Sequence, residues 1–430
     1  MLTVAEASRA IADAMPAFET QTVELDACCG RVLRQDVVAE RDQPPFDRVT
    51  MDGIAVSFDT LAAGTRQFTI QGTQHAGDPV LSLSDPANCI EIMTGGVRPG
   101  GTDCIIPVER ISVDDGTATV EAGYEPQRNQ FVHPQGSDHR IGHVVLRPGL
   151  RLTPMDVAIV ASCGLRAVEV ARQPIVRVVS TGNELVQPGK PIESHQVRLS
   201  NGPALVAMLT QQGYADVAHE HLVDDPAILE DRLASLLATS DVLVLSGGVS
   251  MGKADFVPQV LGDLGVELVF HKISQRPGKP MWFGAGPDGT LVFALPGNPV
   301  STLVCCRHYV LPALAQTSGR SARDAEHAVL AEDVEFKPAL TCFLPVRIAA
   351  SGDGRAVATP VPTNTSGDFA SLTGTDGYVE LEKEKSRFAK GLAIPLHRLS
   401  WWQLLVSVPQ LRHQLAVSHT LDIKHEIPHG

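Results

Sequence analysis

Apolar and polar positions divide the chain into stretches of different texture. Val4, Ala7, Ile11, Ala14 and Met15 recur at helical spacing behind Thr3-Val-Ala-Glu6, a capping-box sequence, and Pro16 ends the run. From about residue 20 to 150 the apolar residues come in short β-branched runs broken by Gly, Pro and Asp. That predicts strands over 68–70, 90–93, 104–108, 117–120 and 143–146, with many turns. Thr153-Pro154-Met155-Asp156 then reads as a helix start, with Thr as N-cap and Pro in the first turn, and the helix ends near Gly164.

From 175 the texture changes to strand–helix alternation. Strands are predicted over 175–180, 217–222, 242–245 and 267–271, and helices over 203–212, over 226–237, after Asp255 and after Pro299. Two closing strands flank Asp288-Gly289, a tight-turn signal. Parallel strands with alternating helices imply a doubly wound sheet. Beyond Gly319 the pattern returns to β, with strands over 334–336, 343–348, 357–360 and 378–381, which reads as a small barrel or sandwich. The fold class expected is α/β multidomain: a central doubly wound αβα domain, a β-rich N-terminal lobe and a C-terminal β-barrel. The corresponding boundaries are 1–42 plus 139–173 for a first domain and 43–138 for an inserted β-rich lobe. An α/β domain over 174–325, a barrel over 326–405 and an extra tail over 406–430 follow.

Bulk composition narrows the function classes. A chain of 430 residues exceeds one ordinary domain. Its net charge of −14 argues against a nucleic-acid or anionic-membrane surface, so any local cluster of Lys and Arg gains significance. The eight cysteines form no CxxC pair, which suits reduced thiols in a cytoplasmic protein better than zinc ribbons or a disulfide framework. The N-terminus resembles no signal peptide, and no apolar run reaches the length of a membrane span.

Several motif matches dissolve on inspection. Gly248-Val-Ser250-Met-Gly252 is formally G-x-S-x-G, yet Ser250 lies beyond a Gly-Gly pair, and Asp255 follows with little room for an interposed strand. A Gly/Ser loop offering backbone N–H groups to an anion fits better. His425-Glu-Ile-Pro-His429 matches HExxH, but Pro428 breaks the helix face that zinc binding would need. His219 and His221 alternate along a strand with Glu220 and suit packing or surface roles.

What remains is a constellation. Ser180-Thr-Gly-Asn-Glu184, Ser246-Gly247-Gly248-Val-Ser250 and Leu295-Pro296-Gly-Asn-Pro299 are small-residue turns at three strand ends, and all would open on one carboxyl edge. Lys272, Arg276 and Lys279 form a cationic segment between the second and third. Glu184, Asp224 and Asp255 fall near the same edge. Cations beside carboxylates suit a phosphate ligand with a divalent metal, since Mg²⁺ takes one or two carboxylates and substrate oxygens. The competing reading makes the carboxylates helix caps and the cations a solvated face; for Asp224, beside Asp225-Pro226, the two stand level.

Taken together, Phe46-Asp-x-x-x-Met-Asp52-Gly, Ile92-Met-Thr94-Gly, Ser180-Thr-Gly-x-Glu184-Leu, Ser246-Gly-Gly-Val-Ser-x-Gly-x-Ala-Asp255, Arg276-Pro-Gly-Lys279-Pro and Leu295-Pro-Gly-Asn-Pro299-Val-Ser301 closely resemble the bacterial MoeA proteins. These are molybdopterin molybdenumtransferases, related to the E domain of gephyrin. The resemblance runs in order over about residues 1–405. It implies a MogA/MoaB-like central domain and the last step of molybdenum-cofactor biosynthesis, in which adenylylated molybdopterin and molybdate react with Mg²⁺ and AMP is released. It also implies an elongated homodimer whose pterin site is completed by the other subunit's β-rich lobe.

Carried over by position, Asp52 and Thr94 are catalytic residues of the lobe, and Glu184 and Asp255 are catalytic acids of the main site. Substrate-binding matches are Asp138, Asp224, Ser246, Gly247, Gly248, Ser250, Lys272, Arg276, Lys279, Pro296, Pro299 and Ser371, and Glu184, Asp224 and Asp255 are the metal candidates. Transient contacts with the molybdopterin adenylyltransferase and with molybdoenzyme chaperones are implied too. The chain departs from the family pattern at His133, where arginines are usual, and at Ile54, Leu199, Lys253 and Arg276. An inactive pterin-binding scaffold and a molybdopterin adenylyltransferase are the alternatives. The retained acids argue against the first, and the extra lobe and barrel against the second.

Overall fold

The computed structural model describes residues 1–248, 256–322, 324–363 and 365–399. The chain forms two compact units: Met1–Phe18 with the chain from Gln173 onward, and Glu19–Arg172.

At the centre of the first unit is a six-stranded sheet ordered Val217–Leu222, Val176–Thr181, Val242–Ser246, Leu291–Leu295, Trp282–Ala285, Glu267–His271. The first four strands are parallel; Trp282–Ala285 runs antiparallel to them, and Glu267–His271, antiparallel to that strand in turn, runs in their direction. All five residues of Val242–Ser246 are buried, as a parallel strand covered on both faces requires. Their side chains alternate between two cores. Val242 and Val244 pack with Val176, Val178, Leu205, Leu209, Val300 and Val304. Leu243 and Leu245 pack on the opposite face with Val179, Leu229, Leu233, Val260 and Leu261. Helices Asn201–Gln211 and Pro299–Cys305 therefore cover one face, and Pro226–Thr239 and Val257–Asp263 the other. This is the doubly wound arrangement expected.

The N-terminal helix, Val4–Ala14, has its predicted capping box between Thr3 and Glu6. It buries Val4, Ala7 and Ile11 in the first of those cores, so this helix belongs to the compact unit of the central sheet. C-terminal strands Thr341–Ala350, Ala356–Pro360, His327–Leu330, Ala393–Arg398 and Gly377–Leu381 close on themselves as a five-stranded barrel. Of the two readings, barrel or sandwich, the barrel holds. Its interior holds Leu330, Val346, Ala358, Val379, Phe388 and Leu396. The short strand Gln275–Arg276 adds to it, parallel to Thr341 and Cys342, and so ties the cationic segment to the barrel.

In the second unit a six-stranded sheet runs Cys104–Pro107, Gly53–Val56, Asn88–Ile92, Gln67–Gln74, Thr117–Val120, Ile111–Asp114. Strand Gly53–Val56 is buried throughout, although Asp52-Gly53 reads as a turn. The reason is close strand approach: a Cβ on Gly53 would lie 2.0 Å from the Ile106 carbonyl oxygen. A second core in this unit joins Leu33, Val37, Leu146, Leu152, Val168 and Val170 around the helix Pro154–Ser162, whose capping box pairs Thr153 with Asp156. All eight cysteines are free, and only Cys29 is exposed.

Candidate functional site

Parallel register brings the predicted turns together. Ser180 pairs with Ser246, and Ser246 with Leu295, so three strands end level with one another. Beyond their carboxyl ends lies a cavity of about 790 Å³. It is lined by Ser180, Thr181, Gly182 and Glu184 from the first turn, Ser246, Gly247 and Gly248 from the second, and Pro296 to Pro299 from the third. Asp224, Arg198, Asn201, Pro280 and Gly367 complete much of the wall.

Each glycine here answers a steric demand. Gly247 has φ +103°, and a Cβ on it would stand 2.7 Å from the Thr181 carbonyl oxygen; on Gly248, φ +65°, one would stand 2.7 Å from Val257 Cγ2. The second loop can thus press against the first strand end only without side chains. Close by, Thr181 Oγ1 is buried without a hydrogen-bond partner among the described residues. An unsatisfied buried hydroxyl costs about 1–3 kcal/mol, and a ligand oxygen in the cavity would relieve it.

Asn201 holds the wall together. Its Nδ2 donates to Ser246 Oγ at 2.9 Å, to the Gly297 carbonyl at 2.7 Å and to Thr302 Oγ1 at 3.2 Å. Thr302 Oγ1 in turn donates to the Pro296 carbonyl at 2.6 Å. From the barrel connection, Ser366 accepts from Asn298 Nδ2 at 2.8 Å, and its carbonyl accepts from the Val300 amide at 3.1 Å. Asn201 and Gly367 escaped the sequence reading, and Thr181 was seen there only as part of the Ser180–Glu184 turn. The only available signal was the Leu199-Ser-Asn201 departure, because the helix expected from Pro203 in fact begins at Asn201.

Among the acids, Glu184 and Asp224 both line the cavity. The ambiguity over Asp224 resolves by division of labour. Asp225 caps the helix Pro226–Thr239, accepting from Ala227 and Ile228, while the Asp224 amide donates to Asn183 Oδ1 at 3.0 Å. Two carboxylates lining one cavity are hard oxygen donors, the ligand type that Mg²⁺ takes. Asp255 and Ser250 lie outside the described residues. Ser371 falls in the 3-10 turn Phe369–Leu372.

The cationic segment does not line this cavity, although Pro280, the residue after Lys279, does. Arg276 lines an adjoining cavity of about 240 Å³ with Phe343, Thr363, Thr365 and Ser366. The two spaces are neighbours through the consecutive residues Pro299 and Val300 and again through Ser366 and Gly367. Lys279 is exposed, and Lys272, with φ +74°, directly follows the strand Glu267–His271.

Lobe residues meet in the second unit. Asp52 Oδ1 accepts from the Thr94 amide at 2.6 Å and from Thr94 Oγ1 at 2.7 Å. Those bonds, the hydroxyl first, hold the Asp52 carboxyl below the usual carboxylate range. Asp138 Oδ1 lies 2.9 Å from His133 Nε2, and His133 Nδ1 lies 3.3 Å from Arg48 Nη2. Arg48 can only donate, so a neutral His133 carrying its proton on Nε2 satisfies both neighbours. The histidine departure thus places an imidazole between a guanidinium and the predicted acid.

Comparison with known proteins defines the class first. Residues 177–316 match the probable molybdopterin binding domain family, residues 2–164 the MoeA N-terminal region (domain I and II), and residues 327–399 the MoeA C-terminal region (domain IV). A molybdopterin molybdenumtransferase of Synechocystis sp. is 36% identical over 398 residues, which is 92% of this chain and all of that relative. Its namesake from Haemophilus influenzae is 35% identical over 324 residues, 74% of this chain and 78% of the relative. Among solved structures, the molybdopterin biosynthesis MoeA protein from Pyrococcus horikosii superimposes with a TM-score of 0.77 at 28% identity, covering 94% of this chain and all of that one. The chain belongs to the MoeA family.

Proposed function

We infer that this chain is a molybdopterin molybdenumtransferase, inserting molybdenum into molybdopterin in molybdenum-cofactor biosynthesis. The observation that carries the reading is the cavity at the level strand ends, combined with a full-length match to relatives of that name. Its substrates are adenylylated molybdopterin and molybdate, and AMP is the second product. A phosphorylated pterin fits the backbone amide at Gly248 and the hydroxyl of Thr181, which has no partner among the described residues. Molybdate, a dianion, suits the adjoining cavity where Arg276 stands.

Glu184 and Asp224 would hold Mg²⁺, with Asp255 the third candidate that the sequence offers; when bound, the ion would neutralise charge on the phosphoanhydride. The chain's own part is positioning. Asn201 ties the second loop to the third, Glu184 and Asp224 face the substrate's polar end, and the 365–367 connection covers the third loop. Lys272 and Lys279 add positive charge to an acidic protein that must bind anions. Asp52, Thr94 and Asp138 act from the lobe of a second subunit in a homodimer.

No helix among the described residues is long and apolar enough to cross a membrane. A cytoplasmic enzyme handing its product to molybdoenzyme chaperones, and receiving substrate from the adenylyltransferase, fits that role. The scaffold alternative is disfavoured by the acids lining the cavity, and the adenylyltransferase alternative by the matched N- and C-terminal regions. The test is reconstitution. Purified chain, adenylylated molybdopterin, molybdate and Mg²⁺ are incubated with a cofactor-free molybdoenzyme, and activity should appear. No activity above that with free molybdopterin and molybdate rejects the reading.

A further inference from the structure

His308, Glu380 and His397 take no part in the chemistry above, yet they converge. His308 sits on a π-helical turn, Cys306–Val310, within the helical run behind the central sheet. Such turns are rare and frequently mark functional positions, because the extra residue re-aims a side chain. Glu380 and His397 stand on two barrel strands, Gly377–Leu381 and Ala393–Arg398, paired antiparallel with Tyr378 opposite His397. One nitrogen of each imidazole and one oxygen of Glu380 all lie within 4.8 Å of one another. His397 Nε2 and Glu380 Oε2 are 3.1 Å apart.

The surroundings hold these groups in place. His308 contacts Phe343 at 4.6 Å between ring centroids, and His397 stacks on Tyr378 at 4.9 Å with planes 20° apart. Tyr378 Oη lies 3.4 Å from His308 Nδ1, the kind of outer hydrogen bond that orients a ligating imidazole. All three residues are part-buried, His308 the most deeply of them.

We propose that His308, Glu380 and His397 form a zinc site that clamps the barrel to the helical edge of the α/β domain. Two imidazoles and a carboxylate are the donor set of a three-ligand zinc site with an open fourth position. Magnesium and calcium prefer all-oxygen sets, which separates this site from the Glu184 and Asp224 pair. In tetrahedral zinc, ligand atoms stand about 3.3 Å apart, so the His397–Glu380 spacing already fits and the remaining contacts close by at most about 1.5 Å. The clamp would steady the barrel whose 365–367 connection covers the main cavity. The competing account is a plain His–Glu hydrogen bond inside an aromatic stack.

The two are separated by metal uptake on the full chain, stripped with a chelator. Zn²⁺ is titrated against a chromophoric indicator, and Co²⁺ is used as a visible probe of four-coordination. Tail histidines His413, His419, His425 and His429 are a background, so His425→Ala/His429→Ala serves as control. Expected are one equivalent of Zn²⁺ in the parent and in the tail variant, and affinity reduced more than about tenfold in both His397→Gln and Glu380→Gln. The Co²⁺ bands should vanish in the same two variants, whose folding is checked by circular dichroism. No stoichiometric uptake by the parent overturns the site, as does uptake equal in parent and both variants, or uptake lost only with the tail histidines. None of these readouts depends on molybdenum insertion.

Discussion

Replacing Asn201 by Ala tests the wall of the cavity most sharply. Its Nδ2 carries two hydrogens, and three acceptors compete for them: Ser246 Oγ, the Gly297 carbonyl and Thr302 Oγ1. Two hydrogen bonds are therefore made at a time, each with a net value of about 0.5–1.5 kcal/mol, so the truncation removes roughly 1–3 kcal/mol of local stability. That corresponds to about a 5- to 150-fold rise in local opening. Hydrogen exchange followed by mass spectrometry reads it directly. Peptides over 242–248 and 295–302 should exchange faster by that factor, while the barrel strands keep their protection and the thermal transition moves only a few degrees. Molybdopterin affinity should fall by a similar factor, because the loops that form the cavity are no longer held level. Asn201→Asp keeps the shape but removes both donors, so it should match or exceed the Ala variant. Unchanged exchange in either variant would refute the claim that this amide ties the second loop to the third.

Other substitutions probe neighbouring parts of the account. Gly247→Ala places a Cβ 2.7 Å from the Thr181 carbonyl at φ +103°, so backbone strain and overpacking should together cost about 2–4 kcal/mol, read as a lowered thermal transition, and molybdopterin binding should be lost. Thr94→Val removes the larger of the two contacts that depress the Asp52 carboxyl, and a carboxyl-carbon NMR titration should find its pKa raised. The sign follows from linkage. Ionised Asp52 stabilises the fold above its unfolded pKa, that stabilisation is lost as pH falls through the depressed folded pKa, and the variant should lose less of it on acidification.

How much of this was legible in the sequence differs by element. The level strand ends were, because buried parallel strands read as unbroken apolar runs, and each of the three ends in its own small-residue turn. Barrel strands His327–Leu330 and Ala393–Arg398 were not, since the first is short and Pro395 interrupts the second, which reads against a strand. Gly53–Val56 was hidden by an Asp-Gly pair whose glycine serves strand approach instead of a turn. In the site, Glu184 and the loop glycines could be placed by their strands alone. Arg276 could not, because its position depends on pairing with Thr341 and Cys342 of the barrel. His308 gave no local signal either, as nothing in the helical spacing of 299–317 announces a π turn.

The central claim is that the cavity beyond Ser180, Ser246 and Leu295 carries out molybdate-dependent turnover of an adenylylated pterin. The measurement that addresses it is AMP release from adenylylated molybdopterin and Mg²⁺, with and without molybdate, by the parent chain and by Glu184→Gln. The account predicts AMP release that requires molybdate in the parent and is lost in a folded Glu184→Gln. AMP release indifferent to molybdate, or undiminished by the Glu184 substitution, would contradict it.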